Sequence, residues 1–221
     1  PGKISLIAEI KRASSSKGVL CQDFGVSHLA RVYKENGAAA LSVLTEEKFF
    51  LGRPDYVRLA ADLDLPVLAK DFFVDELQIY EAFSFSASAI LLIMAILSDE
   101  EVKRFQEAAQ RLDMDCMVEV HTQEELDRAL RLDADIIGVN NRDLATFELD
   151  LKVGERLLAQ IPEGKVRVIE SGLGTHEEIV HFKNLGAHAA LIGETFVRSA
   201  DIPATMREVM GDELPQPKGR G

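Results

Sequence analysis

The segment Leu65-Pro-Val-Leu-Ala-Lys-Asp-Phe-Phe73 is a short apolar run that ends in a charged residue. Residues Pro66 to Ala69 predict a buried strand, and Lys70 stands where that strand ends. Lysine is rarely buried without a partner, so a lysine directly after an apolar run needs an explanation. If only one apolar run ended in a lysine, a side chain that reaches solvent would be the favoured explanation. If several runs end in charged residues, a shared site is favoured.

Four other apolar runs end in charged or amide side chains in the same way. They are Ile4–Glu9 with Lys11, Cys116–Glu119, Ile136–Asn140 and Val166–Glu170. In a (β/α)8 barrel the carboxyl ends of all strands meet at one face, where they build a single site. The repetition therefore predicts that these side chains converge.

Strand-like and helix-like stretches alternate along the whole chain and make up eight βα units. The strand segments are continuously apolar, which indicates a parallel sheet that is covered by helices. Eight successive units without a G-x-G-x-x-G motif after the first strand predict an α/β fold of the closed (β/α)8, or TIM barrel, type. An open doubly wound sheet is the alternative. The barrel is expected to span residues 1–211, and residues 212–221 are expected to be a disordered tail.

The composition restricts the classes of partner. The 221 residues carry a formal net charge of −12, and an acidic surface attracts neither nucleic acid nor an anionic membrane. The longest apolar run, Ala87 to Leu97, is shorter than the ~20 residues needed to cross a bilayer. No signal peptide is recognisable, so a cytoplasmic protein is expected.

The cysteines and histidines give no metal-ligand spacing, so no metal is expected. Cys21 and Cys116 lie far apart and are interpreted as packing residues rather than as a disulfide. His121 follows Glu119 by two positions, and the sequence leaves its role open between a member of the site and a loop or helix-capping residue.

The charged strand ends suggest acid–base chemistry. Side chains two apart on a strand share a face, so Glu9 and Lys11 are expected to point together into the barrel mouth. Lys70 and Glu119 would reach the same space from other strands. A lysine kept protonated beside carboxylates is a candidate general acid, and Glu119 is a candidate base or proton shuttle. A structural network of ion pairs is the alternative.

Two glycine-containing loops predict a phosphate site. The sequence Glu170-Ser-Gly-Leu-Gly174 follows the seventh strand, and Ile192-Gly-Glu-Thr195 follows the eighth. Glycines at these positions let backbone N–H groups approach an anion, and this pair of loops often holds phosphate in this fold. Lys11 and Ser14 would reach the anion from the first strand. Ordinary turns are the alternative.

In order and spacing, the motifs resemble those of the indole-3-glycerol phosphate synthase family from Ile7 to Gly211. The matching segments are Ile7-Ala-Glu-Ile-Lys-Arg12 with Ser14 and Ser16, Pro66-Val-Leu with Lys70-Asp-Phe72, Val118-Glu-Val-His121, Gly138-Val-Asn-Asn-Arg-Asp-Leu144, Glu170-Ser-Gly172, and Ile192-Gly-Glu194 followed by Arg198. The resemblance implies a (β/α)8-barrel carboxy-lyase of tryptophan biosynthesis that works without a cofactor. Its substrate would be 1-(2-carboxyphenylamino)-1-deoxyribulose 5-phosphate, which is cyclised to indole-3-glycerol phosphate with loss of carbon dioxide and water.

The resemblance also implies roles for individual residues. Lys70 would protonate the ribulose carbonyl, and Glu119 would handle the proton that is removed during dehydration, with Lys11 assisting. The remaining assignments are Glu9, Asn140, Glu170 and Ser171 for orienting the substrate hydroxyls and the lysines, Arg142 and Ser14 for the anthranilate carboxylate or the phosphate side, Gly172, Gly193 and Glu194 with Lys11 for the phosphate, and Phe49, Phe72 and Leu91 for the aromatic ring.

The family normally carries an N-terminal helical extension over the site, so the chain is expected to be an N-terminally truncated member. Two other functions stay open. One is a truncated or engineered scaffold that binds phosphate without turnover, and the other is a Schiff-base aldolase with Lys70 as its nucleophile. The isomerase of the same pathway is disfavoured, because Cys21 lies too far along the chain. A monomer is expected, with fusion to or association with other enzymes of the pathway left open.

Overall fold

A computed structural model describes residues 2–14, 18–21 and 24–215. Eight parallel strands close into a barrel, which confirms the predicted fold class. A separate antiparallel pair, β2 with β3, follows the first barrel strand. The strands in chain order are β1 (Ser5–Ile10), β2 (Ala13–Ser14), β3 (Gly18–Val19), β4 (Ala40–Leu44), β5 (Val67–Lys70), β6 (Ala89–Ile93), β7 (Asp115–Val120), β8 (Ile136–Asn140), β9 (Val166–Glu170) and β10 (Ala189–Ile192).

Helices follow the barrel strands and cover the outside of the barrel. Ser98 and Thr175 each begin a helix with a capping box, in which side chain and backbone bond reciprocally. In the described part of the chain no helix is long and apolar enough to cross a membrane. The helices are α1 (Val26–Glu35), α2 (Tyr56–Ala61), α3 (Glu76–Ser84), α4 (Asp99–Arg111), α5 (Gln123–Arg131), α6 (Leu151–Leu158), α7 (His176–Asn184), α8 (Glu194–Val197) and α9 (Ile202–Met210).

The strands bury apolar side chains on both faces, as their continuous apolar sequences predict. On β7, Val118 joins the layer between barrel and helices, whereas Met117 points into the barrel. Closure is completed by β1, which pairs with β4 on one side and with β10 on the other. The interior cluster consists of Leu68, Leu91, Ile93, Met117, Val168, Ala189 and Leu191. It fills the barrel below the strand ends, and a cavity lies above it at the carboxyl-end mouth.

The chain beyond residue 211 packs on the barrel where a disordered tail was expected. Gly211–Glu213 form a turn of 3-10 helix. The Glu213 carboxylate accepts a hydrogen bond from the backbone N–H of Ile4 at 3.0 Å and pairs with Lys183 Nζ at 2.6 Å. Leu214 is buried. Residues 212–215 therefore belong to the barrel domain, and residues 216–221 lie outside the described residues.

Both cysteines are free thiols, as expected, and Cys116 packs against the apolar core. Cys116 is the second residue of β7, after Asp115, and burial raises the pKa of its thiol to about 12. A thiol with such a pKa is a poor nucleophile at neutral pH.

Candidate active site

Lys70 lies at the centre of an ionic cluster at the carboxyl ends of the strands. Its Nζ is 2.6 Å from Glu170 Oε2, 3.6 Å from Glu119 Oε2 and 3.7 Å from Glu9 Oε2. These four residues stand on β5, β9, β7 and β1, at the position where each strand leaves the apolar interior. The structure thus brings together side chains that are up to 161 residues apart in the sequence (Glu9 and Glu170).

A second lysine extends the cluster on the side of β1. Lys11 Nζ lies 2.7 Å from Glu9 Oε1, while the other carboxylate oxygen of Glu9 faces Lys70. Glu9 is buried, and both lysine side chains are only 15% exposed. Glu9 therefore fixes the two ammonium groups relative to each other.

The charges of the cluster determine which groups are ionised. Burial by itself would lower the pKa of Lys70, but Glu170, Glu119 and Glu9 outweigh it and raise that pKa. Burial would likewise raise the pKa of Glu9, but Lys11 and Lys70 outweigh it and lower that pKa. Lys70 is therefore an ammonium group in the free protein.

The two carboxylates on β7 and β9 differ in their surroundings. The pKa of Glu119 is lowered despite burial, because Lys70, His121 and a hydrogen bond from Asn140 favour its charged form. Burial and the neighbouring charges of Glu119 and Glu9 raise the pKa of Glu170. Its Oε1 atom is buried and has no hydrogen-bond partner among the described residues. Glu119 is thus ionised in the free protein, and Glu170 is the carboxylate most easily protonated.

Above the ionic cluster lies a cavity of about 720 Å³. The three residues expected to contact an aromatic ring, Phe49, Phe72 and Leu91, all line it, and the Phe72 ring lies 6.5 Å from that of Phe50. Phe49 is 53% exposed and stands at the rim. The sequence did not point to the further apolar residues of the wall, which include Phe50, Ile93, Ile96, Leu144, Phe147, Leu149 and Leu191.

Asn140 and Arg142 border the cavity at the end of β8. The Asn140 side-chain oxygen accepts a hydrogen bond from the backbone N–H of Arg142 at 3.0 Å. The Arg142 guanidinium donates to the carbonyl of Phe147 at 3.2 Å. Ser14 lines the cavity from β2. Asn140 therefore links the ionic cluster to the only arginine that was expected to bind substrate.

The two glycine-containing loops form one side of the cavity. Ser171 and Gly172 both have positive φ angles, of 66° and 80°. A Cβ atom at Gly193 would lie 2.6 Å from Glu9 Oε1, so this position requires glycine for the close approach of β1. Thr195 Oγ1 donates to the carbonyl of Leu173 at 2.8 Å and ties the loops together. Gly174, Glu194 and Arg198 line the same side of the cavity.

Two further residues fix the site from behind. Asn141 is 1% exposed, and its amide donates to the carbonyl of Ser171 at 3.0 Å and accepts from the N–H of Gly154 at 2.9 Å. His121 is also buried and lies between Glu119 and Glu125, which favours the site interpretation over a solvated loop. In the sequence, Asn141 stands directly after the predicted site residue Asn140. The neighbouring residues do not show that the two asparagines have different roles.

A closed parallel barrel with a buried lysine–carboxylate cluster below an apolar cavity defines a (β/α)8-barrel enzyme of acid–base chemistry. Comparison with protein families makes the assignment specific. The family model described as indole-3-glycerol phosphate synthase matches residues 1–209. The chain belongs to the indole-3-glycerol phosphate synthase family.

Curated relatives agree with this assignment. An indole-3-glycerol phosphate synthase of Acetivibrio thermocellus is 51% identical over 208 residues, which cover 94% of this chain and 80% of the relative. One of Legionella pneumophila is 46% identical over 209 residues, covering 94% and 81%. One of Caldanaerobacter subterraneus is 47% identical over 198 residues, covering 89% and 77%. The chain thus spans about four-fifths of the length of these relatives.

Solved structures agree on the fold. A 3-hexulose-6-phosphate synthase superposes with a TM-score of 0.73 at 18% identity, covering 96% of this chain and all of that chain. A structure titled KGPDC from Streptococcus mutans gives a TM-score of 0.70 at 12% identity, covering 96% and 97%. At such identities the likeness concerns the barrel architecture alone.

Proposed function

We propose that this chain converts 1-(2-carboxyphenylamino)-1-deoxyribulose 5-phosphate into indole-3-glycerol phosphate, carbon dioxide and water. The observation that carries the proposal is Lys70, an ammonium group held among three buried carboxylates at the floor of an apolar cavity. Ring closure needs an acid at the ribulose carbonyl, and a positioned ammonium group supplies one.

In the first step, the anthranilate ring carbon that carries the carboxylate attacks the ribulose carbonyl carbon, and Lys70 gives a proton to the carbonyl oxygen. Loss of carbon dioxide from the same ring carbon then restores aromaticity. Lys11, 2.7 Å from Glu9, assists by keeping positive charge beside the developing hydroxyl. No redox group is needed, because no electrons enter or leave.

In the second step, the new hydroxyl leaves as water and a carbon-bound proton is removed. Glu119 accepts that proton, since it is ionised in the free protein and lines the cavity 3.6 Å from Lys70. Lys70 or Lys11 protonates the leaving hydroxyl. Glu170 and Asn140 fix the positions of Lys70 and Glu119, respectively.

Substrate binding is assigned to the walls of the cavity. Phe49, Phe72 and Leu91 would hold the aromatic ring, which matches the apolar character of that wall. Arg142 and Ser14 would take the anthranilate carboxylate. The phosphate would lie against the backbone of Gly172, Gly193 and Glu194, with Lys11 on the opposite side and Ser171 orienting a substrate hydroxyl.

Location and assembly follow from the proposed pathway. An enzyme of tryptophan biosynthesis works on phosphorylated metabolites, so we place it in the cytoplasm. We also propose that it acts as a monomer, because all the proposed catalytic side chains come from one chain.

The test follows the indole product by fluorescence after the carboxyphenylamino-deoxyribulose phosphate is mixed with the purified chain. Product formation that disappears in Lys70→Ala supports the proposal. Lys103→Ala, a change of an exposed lysine on α4, is the matched control and should leave the rate unchanged. A Lys70→Ala variant that keeps most of the rate would overturn the assignment.

Two further outcomes identify the alternatives. Saturable substrate binding by calorimetry without product would identify a phosphate-binding scaffold. Covalent trapping of a carbonyl substrate on Lys70 by borohydride would identify an aldolase. The aldolase needs an unprotonated Lys70, and three carboxylates within 3.7 Å oppose that state.

A further inference from the structure

His121 is a buried histidine that touches the ionic cluster from behind and lies outside the residues that line the cavity. It follows the end of β7, two positions after Glu119. Its Nε2 lies 3.3 Å from Glu119 Oε1, whereas Glu119 Oε2 faces Lys70 at 3.6 Å. The two oxygens of one carboxylate thus face two different basic side chains.

Glu125 fixes the histidine in turn. Its Oε2 accepts a hydrogen bond from the backbone N–H of His121 at 2.7 Å and lies 3.1 Å from His121 Nδ1. Glu125 stands in the first turn of α5, where its own backbone N–H bonds to the capping Thr122 hydroxyl at 3.2 Å. A continuous chain of contacts therefore runs from the start of α5 through Glu125 and His121 to Glu119.

The ionic cluster has more carboxylates than ammonium groups, which suggests a role for a charged His121. Among the described residues, the three carboxylates of Glu9, Glu119 and Glu170 face two ammonium groups, those of Lys11 and Lys70. A positive charge on the imidazole, which lies between Glu119 and Glu125, would reduce the excess of negative charge around Glu119. Without it, one carboxylate of the buried cluster lacks a counter-charge and is easily protonated.

In the described part of the chain, the titratable groups that face His121 are acidic. Glu119 faces it from β7, Glu125 from α5, and Asp143 from the loop after β8. Burial would lower the pKa of the imidazole, but the charges of Glu119 and Glu125 and the hydrogen bond with Glu125 outweigh burial and raise that pKa to about 10. The surroundings therefore support an imidazolium at neutral pH.

We infer that His121, held by Glu125, is a positioning residue that keeps Glu119 ionised and directs its Oε2 atom towards Lys70 and the substrate. The inference rests on the proposed role of Glu119 as the proton acceptor. His121 does not meet the substrate itself, so its removal should lower kcat and leave KM nearly unchanged.

The kinetic test compares pH profiles of kcat/KM, whose acidic limb reports the base that must be ionised in the free enzyme. His121→Gln keeps an amide that can donate to Glu119 but removes the charge. The pKa of Glu119 should rise, so the acidic limb should move to higher pH by about one unit or more. Glu125→Gln keeps the hydrogen bonds around His121 and should move the limb in the same direction by less.

The matched control is His181→Gln. His181 also pairs with a glutamate, since its Nε2 lies 2.9 Å from Glu155 Oε1, but both side chains are about half exposed on α7 and α6. This variant should leave the pH profile in place. If His121→Gln lowers the rate equally at every pH, the residue is merely structural and the inference is wrong.

A second measurement does not depend on turnover. NMR of the ligand-free protein with labelled histidine should show His121 as an imidazolium at about pH 8, above the ordinary histidine pKa of about 6.5. In Glu125→Gln its titration should move to lower pH. A neutral His121 at about pH 8 would overturn the inference, whereas an inactive wild-type chain with a charged His121 would overturn only the proposed function.

Discussion

Two layers of side chains inside the barrel come from the same strands but behave in opposite ways. Leu68, Met117 and Val168 form part of the apolar interior cluster. Two residues further along β5, β7 and β9, on the same face of each strand, stand Lys70, Glu119 and Glu170. On each of these three strands, an apolar residue of the interior is thus followed, two positions later, by a residue of the ionic cluster.

The comparison separates what stabilises the barrel from what performs the chemistry. Burial of apolar side chains is favourable by roughly 25 cal/mol per Å² and needs no specific partner. Buried charges lose the free energy of hydration, and their mutual attraction offsets that loss only if every charge keeps its partners. We therefore expect volume-conserving substitutions in the apolar layer to be tolerated. Single changes in the ionic layer should have large effects on stability or on the rate.

The largest effect is expected for Lys70→Met, which keeps the length of the side chain and removes its charge. At about pH 8 the free energy of unfolding should fall by about 3–5 kcal/mol, because three carboxylates lose their shared partner. The loss should shrink as the pH is lowered, since the carboxylates then become protonated and neutral. Urea denaturation between pH 5 and pH 8 measures this, and a loss independent of pH would contradict the ionic explanation.

A smaller effect of opposite sign on stability is expected for Glu170→Gln. The pKa of Glu170 is raised in the folded protein, by burial first and by neighbouring carboxylates, so its ionisation disfavours folding. The penalty is absent below the unfolded pKa of about 4.5, grows as the pH rises through the folded pKa, and is complete above it.

Glu170→Gln should therefore be more stable than the wild type at about pH 8, by an amount on the order of 1 kcal/mol, and equal to it near pH 4.5. Its kcat should fall by about 100-fold, because Lys70 loses its closest partner and is misplaced. Denaturation curves at both pH values and steady-state kinetics test this. A variant that is less stable than the wild type at pH 8 would show that the ion pair with Lys70 outweighs the repulsion.

The smallest effect is expected for Met117→Leu in the apolar layer. The change conserves volume, so the free energy of unfolding should change by less than about 1.5 kcal/mol. The rate and its pH dependence should stay as in the wild type, because Met117 lies two residues below Glu119 and bears no charge. A fall in kcat comparable to that of Glu170→Gln would mean that the two layers are not independent.

Much of this organisation could be predicted from the sequence. The alternation of apolar runs and helical segments gave the barrel, because the periodicity of burial is a local property of each segment. The charged residue at the end of each run gave the members of the ionic cluster. The expected tail was wrong for residues 212–215, because its composition is that of a tail whereas the contacts of Glu213 and Leu214 are long-range.

The sequence by itself determined the order of the elements, the apolar faces, and the residues that end each strand. Only the tertiary structure decided that Lys70 pairs most closely with Glu170, that Glu119 and Glu170 have opposite pKa shifts, and that His121 is buried behind Glu119. The physical reason is that a strand's burial pattern follows from neighbouring residues. The ionisation of a buried group, in contrast, depends on charges that other strands bring within a few ångströms.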